Sequence, residues 1–383
     1  MTIRTFFRVF AFVCTSIVPY QYCFCQGSSR DSSVITEFSN RLKHDITKDD
    51  VHGSISAAIV KSDRVIWAGA FGYASRDNDI AADTGTIYRI GSITKTFTAT
   101  VLMQLVEEGK VKLDDPVEKY VPEIKSLQGY SDRTIITLRQ LSSHTSGLKR
   151  EPDMRGASLG PVDQWESKLL SCIPFTSFNS IPGTNYQYSN IGYALLGLAL
   201  ERASGVPYVQ LLQQKVFTPL HMDNTFFSIP ENKMSEVAEA FVNFRADERD
   251  EINKIPSLQG AVDSALGGYT VPCGGIYSTP SDMAKFIIAL RGKTLLFKPE
   301  SFQEMQVSAQ GARNYGFGLM LGRYRKADFV GHGGVVQGYT AQLSIEQHGN
   351  YAMILERNYN RGKTNLQVDS RKLLYKLSTG SIR

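Results

Sequence analysis

One stretch, RIGSITKTFTATVLMQLVEEGK at residues 89–110, restricts what this chain can fold into. Ile93, Phe97, Val101 and Leu105 recur every four residues, and Leu102 and Val106 widen the stripe. That spacing predicts a helix with a buried face, stopped at Gly109. Ser92 falls at the helix N-terminus, where free backbone N–H groups and the macrodipole favour developing negative charge. Lys95 comes three residues later and projects from the same face one turn on. A serine hydroxyl is a weak nucleophile until something accepts its proton, and a partly desolvated lysine can do that or relay it. An N-capping serine beside a solvated lysine would give the same letters, so the pattern needs company.

Two further elements supply it. Tyr188-Ser189-Asn190 sits in PGTNYQYSNIGYALLGLALERASG, and His332-Gly333-Gly334 sits in VGHGGVVQGYTAQLSIE. In this order with Ser92-Ile93-Thr94-Lys95, they resemble the serine β-lactamase and penicillin-binding-protein superfamily, whose signatures are S-x-x-K, Tyr-x-Asn or Ser-x-Asn, and K-T-G. The tyrosine version is similar to the class C β-lactamase branch with its D,D-peptidase and esterase relatives. The resemblance runs from about Ile55 to about Asn358 and takes in LDDPVEKYVP (113–122), ITLRQLSSHTSGL (136–148) and GGIYSTPSDMAKFI (274–287).

The resemblance implies an α/β (α+β) fold of the β-lactamase/transpeptidase type. A central antiparallel sheet is flanked by helices, a mostly helical lobe spans about 110–270, and the site lies between them. It implies Ser92 as nucleophile, Lys95 and Tyr188 as the groups that take its proton, and the backbone N–H groups of Ser92 and Val335 as an oxyanion hole. Asn190, His332, Gly334 and Val335 would contact substrate. The third element departs from the family pattern, because His332-Gly333-Gly334 replaces Lys-Thr-Gly. Histidine is a cation only when protonated, and Gly333 offers no hydroxyl to a substrate carboxylate. Histidine here is also found in relatives that act as D,D-peptidases, D-amino-acid amidases or esterases. The implied activity is hydrolysis of an amide or ester in a small-molecule or peptide substrate, on D,D-peptidase or β-lactam-like substrates. A carboxylesterase of the same fold and a non-catalytic binding homologue are the alternatives.

The rest of the chain adds organisation. At 383 residues, one large domain or two lobes sharing a site fits the length. Residues 1–25 read as a secretory leader: Arg4 and Arg8, then the apolar VFAFVCTSIV, then a polar stretch from Gln26. The apolar run is short for a bilayer span, so cleavage near Cys25–Gln26 is expected. That leaves 26–383 as the hydrolase domain, secreted or periplasmic, with no stable membrane span. The net charge of +5 comes from scattered Lys and Arg, not a basic stripe, which argues against nucleic acid as a partner. Cys172 and Cys273 would remain after cleavage, as one disulfide or as two buried thiols. The six histidines are dispersed with no H-E-x-x-H, so no metal or cofactor is expected.

Along the chain, 31–47 predicts an amphipathic helix, and Ser54–Val60 with Arg64–Phe71 a hairpin. Thr137–Leu141 opens a helix that His144-Thr145-Ser146-Gly147 ends, with His144 as a structural loop residue, since no G-x-S-x-G elbow accompanies it. Residues 229–270 read as an exposed insertion, and Tyr315–Leu319 as the start of a strand. His332–Ile345 and Tyr351–Leu355 read as strands of the same sheet, and 364–378 as a C-terminal helix.

Overall fold

The two β-branched runs after residue 53 pair as the expected hairpin, and the rest of the main sheet builds on it. The computed structural model describes residues 20–23, 29–49, 51–242, 253–254, 267–292, 294–296, 298–348 and 350–380. Strand β1 (Tyr20–Cys23) and helix α1 (Ser29–Thr47) precede β2 (Ser54–Lys61), β3 (Arg64–Ser75), β4 (Ile80–Ala81) and β5 (Tyr88–Arg89). Later come β6 (Phe241–Val242), β7 (Asn253–Lys254), β8 (Tyr277–Ser278), β9 (Met320–Tyr324), β10 (Ala327–Val336), β11 (Tyr339–Glu346) and β12 (Tyr351–Arg357). The main sheet runs β1-β3-β2-β12-β11-β10-β9, with β4 beside β3. Every pairing in it is antiparallel. β2 pairs with β12, so the N- and C-terminal parts of the chain share one sheet. This is the antiparallel α/β architecture that the resemblance implies.

SISAAIVK in β2 is buried from Ser54 to Val60 because both faces are covered, which erases the in–out alternation of a half-exposed strand. Ile55, Ala57 and Ile59 pack with Val34, Ile35, Phe38, Leu42 and Ile46 of α1 and with Leu373, Leu374 and Leu377. Ala58 and Val60 face the opposite way into the larger core. At the centre of that core is α2 (Thr94–Glu107), preceded by a 3₁₀ turn, Gly91–Ile93, that carries Ser92. The sequence predicts one buried face, yet every residue from Thr94 to Leu105 is buried. The threonines on the other faces can be covered because their hydroxyls donate to carbonyls. Thr96 reaches Gly318 O (2.7 Å), Thr98 reaches Pro272 O (2.7 Å) and Thr100 reaches Thr96 O (2.8 Å).

The remaining helices are α3 (Leu138–Ser142), α4 (Trp165–Cys172), α5 (Asn190–Ser204), α6 (Tyr208–Leu212), α7 (Val271–Gly274), α8 (Pro280–Arg291), α9 (Pro299–Met305) and α10 (Leu366–Thr379). Thr137 and Gln140 form a reciprocal capping box on α3. Ser189 caps α5, and Gly205 ends it in the left-handed conformation at φ 71°.

Some expectations change. Tyr315–Leu319 is a turn, not a strand start: Gly318 has φ +65°, and a β-carbon there would lie 2.6 Å from Lys95 O, so the chain bends tightly over α2 before β9 begins. The described part of 229–270 is not an exposed insertion. Val237, Ala238, Ala240 and Phe241 are buried, and Tyr339 Oη donates to Ala238 O at 2.6 Å. Residues 243–252 and 255–266 lie outside the described residues, as do 1–19 and 24–28 of the expected leader region. Of the leader, Tyr20–Cys23 pairs with β3 at the sheet edge. Cys172 and Cys273 are two separate buried thiols; burial raises both, Cys273 to about 11. Among the described residues, no helix is long and apolar enough to cross a membrane, and no His/Cys/Asp/Glu group is arranged for a metal ion.

Phe97 tests the central placement of α2. Its ring stacks on Phe286 at 3.8 Å and meets Phe217 edge-on at 6.0 Å. Phe97→Ala is expected to lower the unfolding free energy by about 3–5 kcal/mol, read from urea denaturation. An unchanged midpoint would contradict this packing.

Candidate active site

Ser92 sits where the end of β10 crosses the start of α2. The crossing needs glycine on both sides. A β-carbon on Gly334 would lie 1.9 Å from Ile90 O, and Gly91 has φ +52° with its missing β-carbon 3.1 Å from Val335 N. Ser92 N is 3.3 Å from the same empty Gly334 position. The end of the strand that carries Val335 and the turn that carries Ser92 are therefore in close contact. The Val335 side chain is 59% exposed there.

Lys95 lies one turn into the helix and is 0% exposed. Its Nζ donates to Ser92 Oγ at 3.1 Å and to the Cys273 carbonyl at 2.8 Å. A buried ammonium requires such oxygen partners, because desolvation without them is costly. The Tyr188 ring centroid lies 4.9 Å from Lys95 Nζ, and that of Tyr193 5.6 Å away. The Arg150 guanidinium also approaches the Tyr188 ring at 4.9 Å. Tyr188, distant in sequence, thus meets the Ser92–Lys95 pair at Lys95.

Asn190, expected from the sequence to contact substrate, is tied to a neighbouring carboxylate. As the first residue of α5, it donates from Nδ2 to Glu151 Oε1 at 2.6 Å, and Glu151 Oε2 accepts from Tyr269. Its Oδ1 is buried with no partner among the described residues. Lys95 meets a backbone carbonyl, that of Cys273, in addition to the Ser92 hydroxyl. No motif announces a backbone carbonyl, and Glu151 belongs to a stretch with no pattern of its own.

His332 is 0% exposed. Its Nδ1 donates to Gly333 O at 2.7 Å, and its Nε2 accepts from Tyr315 Oη at 2.9 Å, which fixes a neutral tautomer. Burial, and secondarily the Lys95 charge, push its pKa down to about 3. The sequence leaves the charge of His332 to its surroundings, and the surroundings keep it neutral. Its ring lies 6.3 Å from that of Tyr188. His144 is also fully buried; burial first, then Lys95, His332 and Arg150, hold it well below the ordinary histidine range. Sequence reasoning gives His144 no part in the site, yet its ring is 4.1 Å from that of Tyr188. The H-T-S-G turn that ends α3 was its visible signal.

An antiparallel α/β fold with a half-buried serine bonded to a buried lysine at a helix start, a tyrosine against the lysine and a glycine-bearing strand across the serine defines a penicillin-binding-protein-like class. The chain belongs to the Beta-lactamase family, which it matches over residues 41–374. It is 33% identical over 258 residues to Beta-lactamase-like protein 4 of Dictyostelium discoideum, covering 64% of this chain and 43% of that protein. It is 31% identical over 220 residues to the D-alanyl-D-alanine-carboxypeptidase/endopeptidase AmpH of Escherichia coli, covering 57% and 52%. The matches thus span about half the length of these relatives. Among solved structures, a D-stereospecific amidohydrolase from Streptomyces superposes with a TM-score of 0.70 at 26% identity, covering 90% of this chain and 99% of that one.

The two neutral histidines make a measurable pH signature. Each has a folded-state pKa below its unfolded value of about 6.5. Their contribution to stability is therefore fully present above about pH 6.5 and is lost as pH falls below it, for His332 toward about 3. Buried Glu356, raised by burial and by Asp282, acts with the opposite sign, so the difference between variants is the clean reading. His332→Asn is expected to flatten the slope of unfolding free energy between about pH 6 and 5 by up to about 1.4 kcal/mol per unit, one proton's worth. Parallel slopes in urea titrations would show that His332 is already charged in the fold.

Proposed function

We propose that the protein is a serine hydrolase that cleaves an amide or ester bond through an acyl-enzyme on Ser92. The observation that carries this reading is the fully buried Lys95 donating to Ser92 Oγ at 3.1 Å beside Tyr188. Ser92 Oγ attacks the substrate carbonyl while Tyr188, with Lys95, takes its proton. The N–H groups of Ser92 and Val335 meet the oxyanion, where Gly334 lets the strand close on the serine turn. The same tyrosine returns the proton to the leaving group, and water then hydrolyses the acyl-enzyme. Asn190 and His332 shape the substrate side of the site.

The names of the relatives, a D-alanyl-D-alanine carboxypeptidase/endopeptidase and a D-stereospecific amidohydrolase, favour an amide or peptide substrate with a D-configured residue. The neutral His332 and the missing hydroxyl at Gly333 weaken the case for efficient β-lactam turnover. A carboxylesterase of the same fold is the second reading, because the same neutral surroundings suit an uncharged ester. A panel of p-nitrophenyl esters, D-aminoacyl amides, stem peptides and a chromogenic cephalosporin separates these substrates.

Ser92→Ala is expected to abolish labelling by a fluorescent phosphonate and to lower turnover by about 10⁴-fold or more, with the fold intact by circular dichroism. Retained turnover would remove Ser92 as nucleophile, and a wild-type protein that stays dark would favour a binding homologue.

The exported location rests on the basic, apolar, then polar order of residues 1–29. Cleavage near Gln26 would remove β1 and leave β3 as the sheet edge. Mass spectrometry of protein from its native source is expected to find a mature chain starting near Gln26; one starting at Met1 or Thr2 would reject the leader.

A further inference from the structure

His144 grips the chain on both sides of Tyr188. Its backbone carbonyl accepts from Gln187 N–H at 2.7 Å, and its ring Nδ1 accepts from Ser189 N–H at 3.1 Å. Between these two bonds the imidazole lies against the Tyr188 ring, with centroids 4.1 Å apart and planes 36° apart. Tyr315 at 4.6 Å and Tyr193 at 4.9 Å also pack against the imidazole, and Tyr186 meets it edge-on at 5.9 Å. Tyr193 is itself tied down by donating to Ser142 O at 2.5 Å.

We infer that His144 is the positioning residue for Tyr188, setting the direction of the phenol toward Ser92 and Lys95. This rests on the proposed role of Tyr188 in taking the serine proton. Three properties are needed at once, and histidine combines them. The backbone at 144 is left-handed, φ +60°, a region where His, Asn and Asp are enriched. A flat ring must cover the phenol, and an acceptor must sit at the δ position for Ser189 N–H. Phenylalanine keeps the ring and loses the acceptor; asparagine keeps an acceptor and suits the backbone but loses the ring. With Nδ1 accepting, the ring proton is on Nε2, which is buried without a partner among the described residues. That unpaired donor is a cost that a purely turn-forming residue would not carry. Because a general base works only within hydrogen-bond reach of its proton, a phenol released from this grip loses rate more than binding.

The test compares wild type with His144→Phe and His144→Asn in the full chain, by two readouts. The first is steady-state hydrolysis of a p-nitrophenyl ester, normalised to the fraction labelled by a fluorescent phosphonate. The second is the Tyr188 ring resonance in tyrosine-labelled protein, assigned with Tyr188→Phe, which reports the ring current of the imidazole directly. Both variants are expected to lose kcat by about tenfold or more with KM changed less than about twofold, and to move the Tyr188 resonance. His144→Asn, matched to the left-handed backbone, serves if the phenylalanine variant does not fold. Wild-type kcat per labelled molecule, or an unmoved Tyr188 resonance, would overturn the inference. If wild type hydrolyses nothing, the hydrolase reading fails by itself, and the resonance still decides whether His144 holds Tyr188.

Discussion

A lysine ammonium with no exposed surface is stable only if oxygen atoms meet it, and at Lys95 those oxygens come from two directions. One is the Ser92 hydroxyl on the turn before the same helix; the other is the Cys273 carbonyl, from a segment 178 residues away. The Coulomb and hydrogen-bond gain must offset the desolvation of a charge. That requirement ties α2 to the α7 turn and makes the position of each a condition on the other. The threonines of α2 extend the same logic: Thr96 and Thr98 donate to Gly318 and Pro272 carbonyls in the flanking loops. Polar groups on a fully buried helix thus act as fasteners between it and the segments that border Ser92.

A second constraint is that the two buried histidines add no further positive charge. His144 and His332 are both buried near Lys95 and both held neutral, by loss of water first and by the lysine charge second. Neutral rings can pack face to edge with Tyr186, Tyr188, Tyr193 and Tyr315 without adding positive charge to a low-dielectric region. The result is a wall of rings around one ammonium. A lysine at 332, as in the Lys-Thr-Gly pattern, would place a second charge in that wall. The departure from the family's third element therefore has a structural counterpart in the aromatic residues packed around it.

The crossing of β10 over the Gly91–Ile93 turn is the third element of the arrangement. Antiparallel pairing of β10 with β11 from Phe329 to Val336 fixes where the strand ends. Glycines at 91 and 334 let that end approach the serine turn to a distance no side chain allows. The sheet thereby brings its Val335 end to the serine turn, and the helix supplies Lys95 to Ser92 Oγ.

The sequence by itself determined much of this. Local periodicity located α1, α2 and the β2–β3 hairpin, and Thr137 announced a helix start. The resemblance of three short elements assigned the fold and named Ser92, Lys95 and Tyr188, because spacing along a helix and a loop is encoded locally. What only the tertiary structure decided depends on residues far apart in the chain. Periodicity marked one buried face of α2, but partners for its threonines come from residues 272 and 318. The charge of His332 depends on burial and on Lys95, and neither can be read from H-G-G. Asn190 turned to Glu151, and Lys95 took a backbone carbonyl, an acceptor every residue carries and no motif marks. His144 looked like a turn residue because its turn is local; its hold on Tyr188 exists only once α3 and α5 are packed together.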